Sequence, residues 1–61
     1  MRERWVAMYY DGSADKIPSH TEFFRAETAD DAAEIAERDL NLSCAEKVDI
    51  ASLNVYKTIT R

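Results

Sequence analysis

Residues 4–10, RWVAMYY, are apolar or aromatic at every position after the arginine. In extended backbone, Trp5, Ala7 and Tyr9 share one face and Val6, Met8 and Tyr10 the other. A strand that is apolar on both faces belongs in the centre of a sheet, or under a cover on each side. Asp11-Gly12 ends the run. Residues 11–19, DGSADKIPS, hold the only glycine and the only proline, and read as a loop that joins antiparallel strands. Residues 21–27, TEFFRAE, form a second strand. There Phe24 and Ala26 share the face of Glu22, and Phe23 that of Thr21 and Arg25.

After Glu27 the period changes from two to 3.6. Thr28 is a good N-cap, with Asp31 three residues on, as in a capping box. Ala29, Ala32, Ala33, Ala36 and Leu40 recur at helical spacing, and Ile35 widens the stripe. Alanines on that face let a helix lie close to a sheet. Asn41 is a reasonable stop. Residues 42–48, LSCAEKV, are a connection of no clear type. Residues 50–60, IASLNVYKTIT, alternate through β-branched and aromatic side chains and read as one third strand. Leu53, Val55, Lys57 and Ile59 would share one face, and Ser52, Asn54, Tyr56, Thr58 and Thr60 the other.

These elements predict one α+β domain over residues 1–61: a three-stranded antiparallel sheet with one helix on one face (β-β-α-β, sheet order 2-1-3). A right-handed crossover carries the chain from the second strand past the first, which puts the doubly apolar strand in the centre. One helix covers only one sheet face. The chain has six aromatic residues, and some must stand on the other face. Several of Trp5, Tyr9, Phe23 and Tyr56 would be exposed there, and Trp5, Tyr9 and Tyr56 are the candidates for an aromatic surface of the kind that marks a protein contact or a dimer interface.

Charge sharpens the picture of the helix. The net charge is −4. Residues 22–39 hold seven acidic and two basic side chains, and the remainder holds five acidic and six basic. Asp30, Asp31, Glu34, Glu37 and Asp39 form a candidate acidic face for a partner with basic residues. Part of this has a local cause: the helix dipole favours Asp30 and Asp31 in the first turn, and Glu34 can pair with Arg38 one turn on. A basic groove for nucleic acid is not expected. Arg2 and Arg4, with Lys57 and Arg61, could make at most a small patch.

Catalytic and metal chemistry find little support. One glycine excludes phosphate-cradling loops. Cys44 and His20 are each the only residue of their type, so no disulfide forms within the chain and no zinc-ligand spacing exists. Nothing marks a nucleophile beside His20, which reads as a loop or strand-edge residue, and Cys44 reads as a small, partly buried apolar one. A non-enzyme without metal or cofactor is expected. No apolar run approaches the ~20 residues that span a membrane, and the start lacks the apolar stretch of a signal peptide. A cytoplasmic protein is expected. The NLS tripeptide at residues 41–43 fits a glycosylation sequon, which matters only in a secretory protein.

The segment FFRAETADDAAEIAERDL resembles a strand-then-helix phrase common in small bacterial and phage proteins, and this phrase reports packing. In length, acidity, α+β order and lack of catalytic motifs, the chain resembles small phage-encoded host-defence inhibitors of the anti-CRISPR kind. That resemblance implies a stoichiometric inhibitor that binds a host nucleic-acid-handling complex through protein contacts. It carries over no individual residue. The expected function is therefore non-enzymatic protein binding, without direct nucleic-acid contact. The alternative is a homodimeric structural or regulatory module that pairs through its aromatic sheet face.

Overall fold

The computed structural model describes residues 2–60. It is an α+β fold with one helix on a four-stranded antiparallel sheet. The elements are β1 (Glu3–Tyr10), β2 (His20–Ala26), α1 (Ala29–Leu42), β3 (Lys47–Ala51) and β4 (Tyr56–Thr60). The sheet order is β2-β1-β3-β4. The expected 2-1-3 neighbours are therefore present, with one more strand at the far edge.

That fourth strand corrects the reading of residues 50–60 as one strand. The Ser52 amide donates to the Val55 carbonyl at 2.8 Å, and the Asn54 amide reaches the Ser52 hydroxyl at 3.4 Å. The serine hydroxyl thus stands in for a turn-forming backbone acceptor, and the chain doubles back with no glycine or proline. Ala51 pairs with Tyr56 and Lys47 with Thr60. Across the turn the helix-covered positions change from even (Val48, Ile50) to odd (Lys57, Ile59), a change of phase that one continuous strand would not have. Leu53, expected on one strand face with Val55, Lys57 and Ile59, stands at the turn and is exposed.

The β1–β2 loop is pinned at both ends. The Gly12 amide donates to Asp15 Oδ2 at 2.9 Å, and the Asp15 amide returns to the Gly12 carbonyl at 3.0 Å. Where the loop rejoins the sheet, both the Ser19 amide and its hydroxyl donate to the Tyr9 carbonyl. The register then runs from Tyr9 opposite His20 to Glu3 opposite Ala26.

Helix α1 begins as expected: the Asp31 amide donates to the Thr28 hydroxyl at 3.1 Å. It runs two residues past Leu40 and is closed by Ser43, whose amide and hydroxyl both donate to the Leu40 carbonyl. Ala32, Ala36 and Leu40 face the sheet and are buried. They meet Trp5, Ala7 and Tyr9 of β1 and Val48 and Ile50 of β3 in one core cluster. Trp5, Leu40, Ile50 and Val48 are its largest fully buried side chains.

This packing settles which face of β1 the helix covers. Trp5 (1% exposed) and Tyr9 (5% exposed) lie under α1. The expectation that they stand on an open aromatic face is corrected. The alanine stripe brings the helix close, and large rings from the sheet fill the space that small helix residues leave.

Candidate functional site

Strand pairing defines the uncovered face of the sheet row by row. Phe23 pairs with Val6, Val6 with Ala51, and Ala51 with Tyr56. These four residues form an apolar band across all four strands. At ~4.8 Å per strand spacing the band spans about 14 Å between its outer strands. Phe23 (73%) and Tyr56 (62%) are its exposed ends. On one side of the band lies the cross-strand pair Arg4 and Arg25. A hollow of about 350 Å³ opens between Arg4, Phe23, Phe24 and Arg25.

On the other side of the band, Met8 pairs with Asp49 and Asp49 with Thr58. Asp49 is the only carboxylate that the strands place on this face, and it is buried. The Tyr56 hydroxyl donates to its Oδ2 at 2.5 Å, while its Oδ1 has no hydrogen-bond partner. Sharing its proton with Asp49 pushes the Tyr56 phenol up to about 12, with burial and the Asp49 charge as lesser causes. Tyr10 is also raised, by burial first and by Asp49 second. Lys47 lies over the Tyr10 ring, with Nζ 4.5 Å from its centroid. The open face therefore presents Arg4, Arg25 and Lys47 around apolar side chains, and no exposed carboxylate.

Of the expected aromatic site residues, Tyr56 alone stands on this face. Phe23, one of several aromatics considered for an exposed face, joins it there, while Arg4 and Arg25 are residues of this face that sequence reasoning missed. Their signal was present in β2, where Phe23 alternates with Thr21 and Arg25 while Phe24 keeps company with Ala26. Choosing between the two faces needed the packing of α1. The small patch that Arg2 and Arg4 could make with Lys57 does not form through the sheet: Lys57 pairs with Ile50 on the helix-covered face. Arg61 lies outside the described residues.

The acidic positions are split around α1. Asp30, Asp31, Glu34 and Glu37 are exposed, and Asp39 is half-buried. At 100° per residue, Asp30, Glu34 and Glu37 fall on one flank and Asp39 on the other. Asp31, Glu34 and Glu37 line a broad open groove of about 1050 Å³ together with Arg2, Arg25 and Arg38. That groove carries both signs of charge, so the five residues do not form one acidic face. Glu34 and Arg38 do not make the expected ion pair; among the described residues the one ion pair is His20 with Glu22, at 2.9 Å.

Asp39 belongs instead to a smaller cavity of about 450 Å³ at the C-terminal end of α1, with Tyr9, Asp11, His20, Glu22 and Cys44 among its walls. Cys44, expected to be partly buried, is exposed here. The Tyr9 and His20 rings lie 5.9 Å apart and tilted by 36°. Burial, then Asp39, then Glu22 push the Tyr9 phenol up to about 12. No three His, Cys, Asp or Glu side chains among the described residues come close enough to hold a metal ion. No helix among them is long and apolar enough to cross a membrane.

No family model, curated protein or solved structure matches the chain.

Proposed function

We propose that this chain is a non-enzymatic protein-binding module that docks through the open face of its sheet, in a cytoplasmic setting. The observation that carries the reading is the band Phe23, Val6, Ala51, Tyr56, bordered by Arg4 and Arg25. An apolar centre with aromatic ends and an arginine rim is the composition of a protein interface. Because the face shows cations and no exposed carboxylate, it suits a partner with an apolar centre and an acidic rim. The same charge pattern disfavours a second copy placed face to face, since an isologous contact would bring Arg4, Arg25 and Lys47 against their own kind.

The finer reading takes the partner to be a host nucleic-acid-handling complex, which the chain inhibits. It rests on the class resemblance in length, acidity and element order.

Both are tested by affinity capture from bacterial lysate with three forms: the native chain, an Arg4→Glu/Arg25→Glu variant, and a Glu34→Lys/Glu37→Lys variant. Circular dichroism checks the fold of each. The native and helix variants should recover the same partner, and the arginine variant should lose it. Loss with the helix variant and retention with the arginine variant would place the contact on α1 instead. A nuclease or surveillance complex among the specifically lost proteins supports the finer reading, and any other partner overturns it.

A further inference from the structure

We propose that the free edge of β2 takes an extended segment of a partner protein as a fifth strand, one in which acidic and apolar residues alternate. The inference rests on the reading that the arginine-bordered side of the sheet meets a partner, and it adds how that contact is made.

The hydrogen-bond phase of the sheet fixes which backbone groups are free. The Tyr9 carbonyl accepts from Ser19, on the β2 side, and the Tyr10 carbonyl accepts from Glu46, on the β3 side. In an antiparallel strand, the N–H and C=O of one residue point the same way, and successive residues point opposite ways. Glu3, Trp5, Ala7 and Tyr9 therefore bond to Ala26, Phe24, Glu22 and His20 of β2. Thr21, Phe23 and Arg25 turn their amides and carbonyls outward, and no strand lies beyond β2. Such a row of three donors and three acceptors is a template for strand addition. The other free edge belongs to β4, which is five residues long against seven in β2, and short edges are poorer templates.

The side chains beside the edge state the chemistry of the segment. Arg4 and Arg25 stand directly opposite each other, and like charges in that position are destabilising. Among the described residues neither forms an ion pair. A fifth strand would run about 4.8 Å from β2. The residue it sets opposite Arg25 on the open face would reach the hollow between Arg4, Phe23, Phe24 and Arg25. A carboxylate there would neutralise the two guanidinium groups through charge-assisted hydrogen bonds. On the other face, the groove between the end of β2 and α1 presents Ile35 and Leu42, and Leu42 is 83% exposed. Alternate side chains of the same strand would point into that groove, where apolar ones cover these two residues. A second copy fits less well. Pairing β2 with β2 about Phe23 sets Thr21 opposite Arg25 and leaves both arginine pairs without an anion.

Amide NMR of the intact chain at low salt tests this with the peptide acetyl-Thr-Val-Glu-Val-Glu-Val-Thr-amide. Acetyl-Thr-Val-Val-Glu-Glu-Val-Thr-amide, of the same composition without the alternation, is the control. The expected result is saturable shifts in β2 and slower solvent exchange of the Thr21, Phe23 and Arg25 amides. Their exchange rates should fall by about half when half of the chain is bound, while those of Thr58 and Thr60 on the β4 edge stay unchanged. Arg25→Gln should weaken binding by about fivefold, the upper range for an exposed charge pair, and Lys57→Gln should not. The proposal is overturned if the first peptide does not bind, if both peptides bind equally, or if Arg25→Gln binds like the native chain. Shifts at Val6, Met8 and Ala51 with the three edge amides still exchanging freely would overturn strand addition and leave docking on the sheet face standing. Slow exchange that needs no peptide and grows with chain concentration would give the edge to a second copy and also overturn it.

Discussion

Trp5 shows how a single residue can be legible in kind and wrong in place. As one of six aromatics on a sheet with a single covering helix it was a surface candidate, yet it is the largest fully buried side chain. Its indole Nε1–H has no hydrogen-bond partner, an omission that costs about 1–3 kcal/mol where it occurs in a core. The area that the ring buries must outweigh this cost. Trp5→Ala should lose about 3–5 kcal/mol. A domain this small holds only about that much in total, so the variant should be unfolded by circular dichroism at 25 °C.

Tyr56 and Tyr9 make a prediction at high pH. Each phenol titrates near 10 when unfolded and near 12 in the fold. A raised folded value means that the neutral form is favoured by folding. This contribution is fully present below pH 10 and is lost as pH rises through 12. Chemical denaturation should therefore show stability falling between pH 10 and 12. Tyr56→Phe should flatten that fall and should also lower stability at neutral pH, because it leaves both oxygens of the buried Asp49 without a partner.

At the scale of elements, α1 was the most legible part of the chain. Its cap, its alanine stripe and its anchor Leu40 are all local features, and the structure uses each. Thr28→Ala should cost about 1 kcal/mol, the usual value of an N-cap, read as a shift in urea midpoint. Asp39→Asn should have the opposite sign, because it removes a carboxylate from the negative end of the helix: a gain of about 0.3–1 kcal/mol is expected. The hairpin of β3 and β4 was the least legible element. Residues 52–55 turn on a serine hydroxyl and one backbone bond, and the only trace in the pattern is a change of the helix-covered positions from even (Val48, Ile50) to odd (Lys57, Ile59). A turn of that kind is written in hydrogen-bond geometry more than in composition.

The β1–β2 pair lies between these cases. Its strands and their loop could be read from alternation and from Asp11-Gly12. Which face was covered could not, because β1 is apolar on both. That choice depends on α1 meeting Trp5, Ala7 and Tyr9, a contact between segments distant in sequence. The candidate site inherited the uncertainty: of the aromatics considered for the uncovered face, Phe23 and Tyr56 are exposed there, and Trp5 and Tyr9 lie under the helix.

For the molecule as a whole, the sheet divides two electrostatic surroundings. The helix side carries most of the carboxylates, and the open side carries Arg4, Arg25 and Lys47. The two sides therefore differ in charge within a chain whose net charge is −4. One consequence concerns self-association: sedimentation at micromolar concentration should find a monomer, and a stable dimer that Phe23→Ala dissolves would make the sheet face a homodimer interface. Another concerns nucleic acid. Three cations are few for phosphate binding, so a single-stranded oligonucleotide should leave the amide spectrum of β2 and β4 unchanged at physiological salt.

The most direct measurement of the docking claim is site-specific photo-crosslinking in living cells, with benzoylphenylalanine placed at Phe23 in one variant and at Glu34 in another. The account predicts a discrete crosslinked protein from position 23, absent from position 34 and lost when Arg4 and Arg25 are reversed to glutamate. A partner captured from position 34 and not from position 23 would contradict it.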